Sequence, residues 1–209
     1  MIIAIRLTGI QKQELMQKGF GKNVTVQWIE PGNKFAGINA DVFFDLMFDD
    51  INFSNNEVIN NKPVFIHAVN CVCKEINKPN YTRLNAWNGF LNRPVTELSC
   101  CNDESKKKAE DIFSKLEWPF AWVKDDYGFI AARIIAMVIN EAYYALEENV
   151  STKQQIDIAM KLGTNYPYGP FEWSEKIGLF NILRLLQKLA KQDKRYTISS
   201  LLVHESQKS

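Results

Sequence analysis

"GFIAARIIAMVINEAYYALEENV", residues 128–150, is the stretch whose reading settles the architecture. On a helical wheel Arg133, Met137, Asn140, Glu141, Tyr144, Glu147 and Glu148 fall on one narrow stripe at the α-helical period. Nearly everything else is apolar, including the run Ile134 to Ile139. The pattern predicts a helix over Tyr127–Asn149 that must be covered on several sides, by its own domain or by a partner. Downstream, "NVSTKQQIDIAMKLG" predicts a helix starting at Ser151 or Thr152 and stopped by Gly163. In "NYPYGPFEW", proline and glycine fix the angle between two helices while Tyr166, Phe171 and Trp173 pack beneath. "SEKIGLFNILRLLQKLAKQ" reads as another amphipathic helix, with one more helical turn in the tail beyond Arg195. This half is all-helical.

Upstream of Asp125-Asp126 the character changes. "IIAIRL" (2–7), "VTVQWIE" (24–30), "VFFDLMF" (42–48) and "PVFIHAV" (63–69) are β-branched or aromatic runs bounded by Gly, Asn, Asp or Pro, the signature of short strands. Between the first two, Ile10, Leu15 and Met16 suit a short helix that the glycines at 19 and 21 end. Strand, helix, strand implies a parallel pair with a right-handed crossover. "LNAWNGF" and "VTELSC" read as two more strands, followed by a helix over about 104–117 and the strand "FAWV" (120–123). The predicted organisation is a reduced Rossmann-like α/β sheet domain over 1–124, then a helical dimerisation domain over 125–209.

Bulk properties narrow the function classes. The chain of 209 residues can bury a proper core, and 46% hydrophobic with 23% charged residues is ordinary for a globular protein. A net charge of +1 argues against a nucleic-acid partner. The basic run Lys106-Lys107-Lys108 reads as the solvated face of an amphipathic helix. No secretory signal or bilayer-spanning run is expected, so neither is a membrane partner. Cys71, Cys73, Cys100 and Cys101 suggest reduced thiols in a cytoplasmic protein, and "CVC" plus "CC" lacks structural zinc spacing, so no metal is expected.

Gly128 to Trp173 carries a denser pattern. Gly128-Phe129 precedes Arg133; "NEA" stands at Asn140–Ala142 and "LEENV" at Leu146–Val150. Asp157, Ala159, Met160 and Gly163 follow, then "GPFE" at Gly169 to Glu172. This segment strongly resembles the C-terminal helical domain of the 3-hydroxyacyl-CoA dehydrogenase family. More faintly, "WNGFLNRPVTELSC" resembles the family's strand and His-Phe-Phe-Asn-Pro motif. The resemblance implies hydride transfer between NAD and the carbon bearing a substrate 3-hydroxyl. It implies a histidine base, whose near-neutral pKa lets it take and return a proton, a glutamate orienting it, and serine and asparagine on the substrate oxygens.

Carried over residue by residue, that machinery is missing. The histidine position is Asn88, or Gly89 after a one-residue slip; the glutamate position is Cys100, with Glu97 three residues off on the opposite face. The family's asparagine position is Ala132, and its serine falls near Asn70. Asn70, Asn88 and Arg133 are the substrate-pocket candidates. The first strand–helix turn, "RLTGIQKQEL", has Gly9 alone in place of a dinucleotide glycine motif, and Glu30 stands where a ribose-binding acid would sit. The sheet domain is also shorter than the family's. Of the two histidines, His67 ends a strand at the edge where ligands gather and is the candidate relocated base, while His204 lies in a polar tail.

Three readings stay open. The first is a 3-hydroxyacyl-CoA dehydrogenase-like protein of acyl-CoA metabolism that has lost its acid–base residues and binds acyl-CoA as a homodimer through its C-terminal helices. The second is an active NAD-dependent oxidoreductase working through His67. The third is a structural homodimer without a small ligand. In the first and third, "NAWNGFLNRP" (85–94) is what remains of a proton-transfer site whose base has become an amide.

Overall fold

The computed structural model describes residues 1–59 and 61–208, which form two units, Met1–Phe129 and Ile130–Ser209. The first unit is a seven-stranded sheet in the order β2-β1-β3-β4-β5-β6-β7. Its strands are β1 (Ile2–Arg6), β2 (Thr25–Ile29), β3 (Val42–Asp45), β4 (Val64–His67), β5 (Tyr81–Leu84), β6 (Thr96–Cys100) and β7 (Phe120–Trp122). Neighbours run parallel except β5 and β6, which are antiparallel. Its α-helices are α1 (Gly9–Lys18), α2 (Cys73–Ile76) and α3 (Asp103–Leu116).

Side chains alternate across the strands, so the sheet buries two different faces. Ile3, Ile5, Phe44, Phe65 and Leu98 point to the face that α1 and α3 cover with Leu15, Ile112, Phe113 and Leu116. Phe44 stacks on Phe65 at 4.6 Å between centroids, and the indole N–H of Trp118 donates to the Gly19 carbonyl at 2.8 Å. Ala4, Phe43, Val64 and Ile66 point to the other face, covered by Phe35, Ala40, Phe48 and Ile76 from loops and the short α2. Those loops satisfy their own backbone with short polar side chains, as turn residues do. Asn80 Nδ2 donates to the Ile59 and Lys62 carbonyls, and Asp49 Oδ1 accepts from the amides of Ile51 and Asn52.

The second unit comprises α4 (Ala131–Glu147), α5 (Lys153–Thr164), α6 (Pro170–Ile177), α7 (Leu179–Ala190) and α8 (Ser200–Ser206). Leu179, Ile182, Leu183, Leu186 and Leu189 of α7 recur at helical spacing and are buried. No helix among the described residues is long and apolar enough to cross a membrane.

Several expectations change. Ile10 and Met16 are 51% and 65% exposed, and α1 buries Gln11 and Glu14 beside the expected Leu15. "LNAWNGF" is not a strand: pairing stops at Leu84, and residues 85–95 form a loop. "VFFDLMF" pairs only as far as Asp45, which turns to Arg6. Gly163 does not stop α5, which runs to Thr164 and is capped by Asn165 in the left-handed region, φ 54°. The segment from Pro170 to Ala190 is two helices, broken at Gly178, whose φ of 90° an L side chain would resist.

Candidate functional site

Ligands of open α/β sheets gather outside the carboxyl ends of the parallel strands. Here that edge is organised by α1. Thr8 and Gln11 form a capping box: the Gln11 amide donates to Thr8 Oγ1, and the Thr8 amide donates to Gln11 Oε1. Gln11 Nε2 then donates to the carbonyls of Leu46, just past β3, and Ala86, just past β5. One turn on, the buried Glu14 carboxylate accepts the amides of Gly89 (2.5 Å) and Leu91 (3.1 Å). One further turn along, Lys18 Nζ donates to the Arg93 carbonyl at 2.6 Å, and burial holds its pKa below the ordinary lysine value. Residues at i, i+3 and i+7 lie on one helix face. The stripe 11, 14, 18 therefore binds the loop 86–93 along its length, and Trp87, Phe90 and Leu91 are buried under it. Gly89 has a φ of 92°, which the turn needs in order to aim its amide at Glu14. Asn88 sits half-buried in this loop.

His67 ends β4, paired in register with Leu84. Its Nδ1 accepts the Ala86 amide at 3.0 Å. In a neutral imidazole the accepting nitrogen carries no proton, so Nε2 carries it. The basic lone pair of His67 is thus spent on a backbone amide. Burial lowers the imidazole pKa, with the Asp50 and Asp45 carboxylates opposing. Asn70, on the loop after β4, is 2% exposed and donates its amide to Asp50 Oδ2. Among the described residues, Asn70 Oδ1, Asn85 Nδ2 and Trp87 Nε1 are buried without a protein partner. The two loops beside His67 therefore keep one acceptor and two donors that water or a polar ligand would satisfy.

Cys100 does not join this group. It pairs with Thr82 on antiparallel β6, two positions toward the opposite end of β5 from Leu84, and its thiol donates to the Asn102 carbonyl. Burial raises the Cys100 pKa. Glu30 is exposed one residue past β2. Ala132 is buried and Arg133 half-buried on α4, in the second unit.

A dinucleotide diphosphate needs free backbone donors and close access at the turn after the first strand. At this turn the amides of Thr8, Gln11 and Lys12 are engaged by Gln11 Oε1, Thr8 Oγ1 and the Thr8 carbonyl. The Glu14 carboxylate is buried two turns or less from the helix start, where an anion would be repelled. The self-capped turn and the buried Glu14 carboxylate weigh against a diphosphate at this turn.

In the second unit the recurring residues act as clasps. Asn140, 2% exposed, donates Nδ2 to the Thr197 carbonyl and accepts the Ser199 amide on Oδ1. Two turns on, Glu147 accepts from the Ser199 and Ser200 hydroxyls and the Leu201 amide at the start of α8. Asp157 of α5 accepts the amides of Phe171 and Glu172, capping α6 across the chain. Gly169 permits this approach, since a Cβ there would collide with the Asp157 side chain. Gly128 and Phe129 are consecutive left-handed residues, φ 79° and 51°, and the Phe129 ring lies 4.7 Å from the buried Arg83 guanidinium. None of these roles was legible as a sequence spacing, because each joins distant segments.

A family model described as "3-hydroxyacyl-CoA dehydrogenase, C-terminal domain" matches residues 128–207. The chain is 46% identical over 82 residues to 3-hydroxyadipyl-CoA dehydrogenase of Escherichia coli K12, covering 38% of this chain and 17% of that protein. It is 38% identical over 104 residues to 3-hydroxybutyryl-CoA dehydrogenase of Bradyrhizobium diazoefficiens, covering 49% and 36%. The matching segments thus span well under two thirds of these relatives. Among solved structures, Mycobacterium tuberculosis FadB2 superposes with a TM-score of 0.74 at 12% identity, covering 99% of this chain and 93% of that one. The Ralstonia eutropha (S)-3-hydroxybutyryl-CoA dehydrogenase PaaH1 gives 0.72 at 17% identity, covering 97% and 92%. At such identities these likenesses establish the fold, a Rossmann-like sheet domain with a helical C-terminal domain.

Proposed function

We propose that this chain is a 3-hydroxyacyl-CoA dehydrogenase-like protein of acyl-CoA metabolism that has lost hydride transfer and binds acyl-CoA as a homodimer, a reading supported by the match of residues 128–207 to the C-terminal domain of that family. One observation carries the reading: the sheet unit's one imidazole, His67, gives its basic lone pair to the Ala86 amide. The loop where the family's base stands holds Asn88, an amide with no useful basicity. The orphaned polar atoms of Asn70, Asn85 and Trp87 support a retained binding role. Self-association is supported by Ile130 and Ile134, 55% and 50% exposed, and by Leu162 at 83% and Phe180 at 54%. The four unbridged thiols are in keeping with a reducing, cytoplasmic location.

The test uses acetoacetyl-CoA and NADH together for turnover, followed by nicotinamide absorbance, and each alone in thermal-shift titrations. The expected result is no turnover, stabilisation by acetoacetyl-CoA and none by NADH. Sustained NADH oxidation would overturn the loss of hydride transfer. A flat acetoacetyl-CoA titration would leave the structural homodimer, and a monomer by light scattering would remove the association.

A further inference from the structure

Cys73 opens α2, and Cys101 follows directly after β6. The two thiols stand near enough to shift each other's titration. Both line one cavity of about 420 Å³, Cys73 from α2 and Cys101 from the end of β6, with Lys74, Lys78, Cys100 and Asp125. The two walls are held together independently of the thiols. Asn102 Nδ2 donates to the Pro79 carbonyl at 2.8 Å, and the Ser105 hydroxyl donates to the same carbonyl. The Cys73 amide donates to the Asp125 carboxylate, which the buried Arg83 also holds. Cys73 is 4% exposed, whereas Cys101 is open to solvent. Of the other two thiols, Cys71 is fully buried, and Cys100, at the same cavity, donates to the Asn102 carbonyl.

We propose that Cys73 and Cys101 are a reversible dithiol–disulfide pair, Cys101 being the attacking thiol and Cys73 the resolving one, with small-molecule disulfides of the glutathione type as oxidant. The Cys101 thiolate attacks one sulfur of the disulfide, forming a mixed disulfide and releasing one small thiol. The Cys73 thiolate then attacks Cys101 Sγ, closes the bridge and expels the second small thiol. Two protein thiols and one small disulfide thus give one protein disulfide and two small thiols. The electrostatics suit this order. The neighbouring Cys73 thiol lowers the Cys101 pKa, and the Cys101 thiol together with burial raises the Cys73 pKa. The exposed sulfur is therefore the nucleophile, and the buried one is reached only by its neighbour. A bridge here would tie the Cys71–Asn77 turn to the end of β6.

The experiment equilibrates the reduced full chain in buffers of oxidised and reduced glutathione, alkylates free thiols, and maps peptides by mass spectrometry without reduction. The expected product is a Cys73–Cys101 cross-linked peptide, lighter by two hydrogens and restored to thiols by dithiothreitol. Cys73→Ser, with its fold checked by circular dichroism, should accumulate glutathione on Cys101, and Cys101→Ser should leave Cys73 unmodified. No cross-link, a Cys100–Cys101 bridge in its place, or a folded Cys73→Ser chain without an adduct on Cys101 would overturn the proposal.

Discussion

Replacing Glu14 by alanine would test how the loop after β5 is held. The Glu14 carboxylate is 7% exposed and accepts two backbone amides, those of Gly89 and Leu91, 75 and 77 residues away. A hydrogen bond to a charged group is worth about 1.5–3 kcal/mol, and a buried donor left without a partner costs about 1–3 kcal/mol. Two such amides put the upper bound near ~6 kcal/mol. Gln11 and Lys18 still bind Ala86 and Arg93, so the loop stays attached at both ends while its middle relaxes toward water. That relaxation lowers the expected loss to about 3 kcal/mol, or a fall in Tm of roughly 6–12 °C for a chain of this size. The assay is urea unfolding of Glu14→Ala beside amide hydrogen exchange at Gly89 and Leu91. Glu14→Gln, which keeps one acceptor oxygen, should lose about half as much. A change under about 0.5 kcal/mol, the range of a surface substitution, with both amides still protected, would refute the reasoning.

Two further outcomes follow from the same geometry. Burial lowers the folded pKa of His67, so the unfolded chain binds the proton more readily. The stability it contributes is fully present above the unfolded value of about 6.5 and is lost as pH falls through that value toward the folded one. His67→Gln should flatten that part of the stability–pH curve, and an unchanged slope would contradict the assignment. Gly169→Ala should cost about 2–4 kcal/mol by pushing Asp157 off the α6 amides, and Asp157→Ala on that background should cost little more. Full additivity in calorimetry would show that the two do not share one cap.

The parts of the fold that were legible are those whose signal is local. β-branched and aromatic runs marked the strands, and the apolar period predicted over Tyr127–Asn149 marked α4, which spans Ala131–Glu147. The failures share a cause. Of the apolar residues that suggested α1, only Leu15 is buried, and beside it the helix buries Gln11 and Glu14, whose partners Ala86 and Gly89 lie 75 residues along the chain. The same holds for Asp157 and Asn140, whose bonds are made to distant backbone. The sequence singled out the Asn85–Pro94 segment and Asn88, and the structure places them in the loop that α1 binds. That His67 accepts the Ala86 amide was not legible, because the pairing depends on the register of β4 against β5. Gly178 broke a helix that the apolar period alone would have continued, since periodicity is blind to backbone hand.

Among the described residues, the passages from β2 to β3 and from β3 to β4 contain no α-helix. An ordinary βαβ passage carries a segment that can coil early and bring its flanking strands together. Here the stretches between Ile29 and Val42 and between Asp45 and Val64 must find their ends as slack chain. Closure entropy is lost before any strand pair rewards it, and such topologies assemble slowly. The second unit, all helices on short connections, carries no such delay. Loop closure therefore delays the pairing of β3 and β4, whose Phe43, Phe44, Phe65 and Ile66 stay open to mispairing until those loops close.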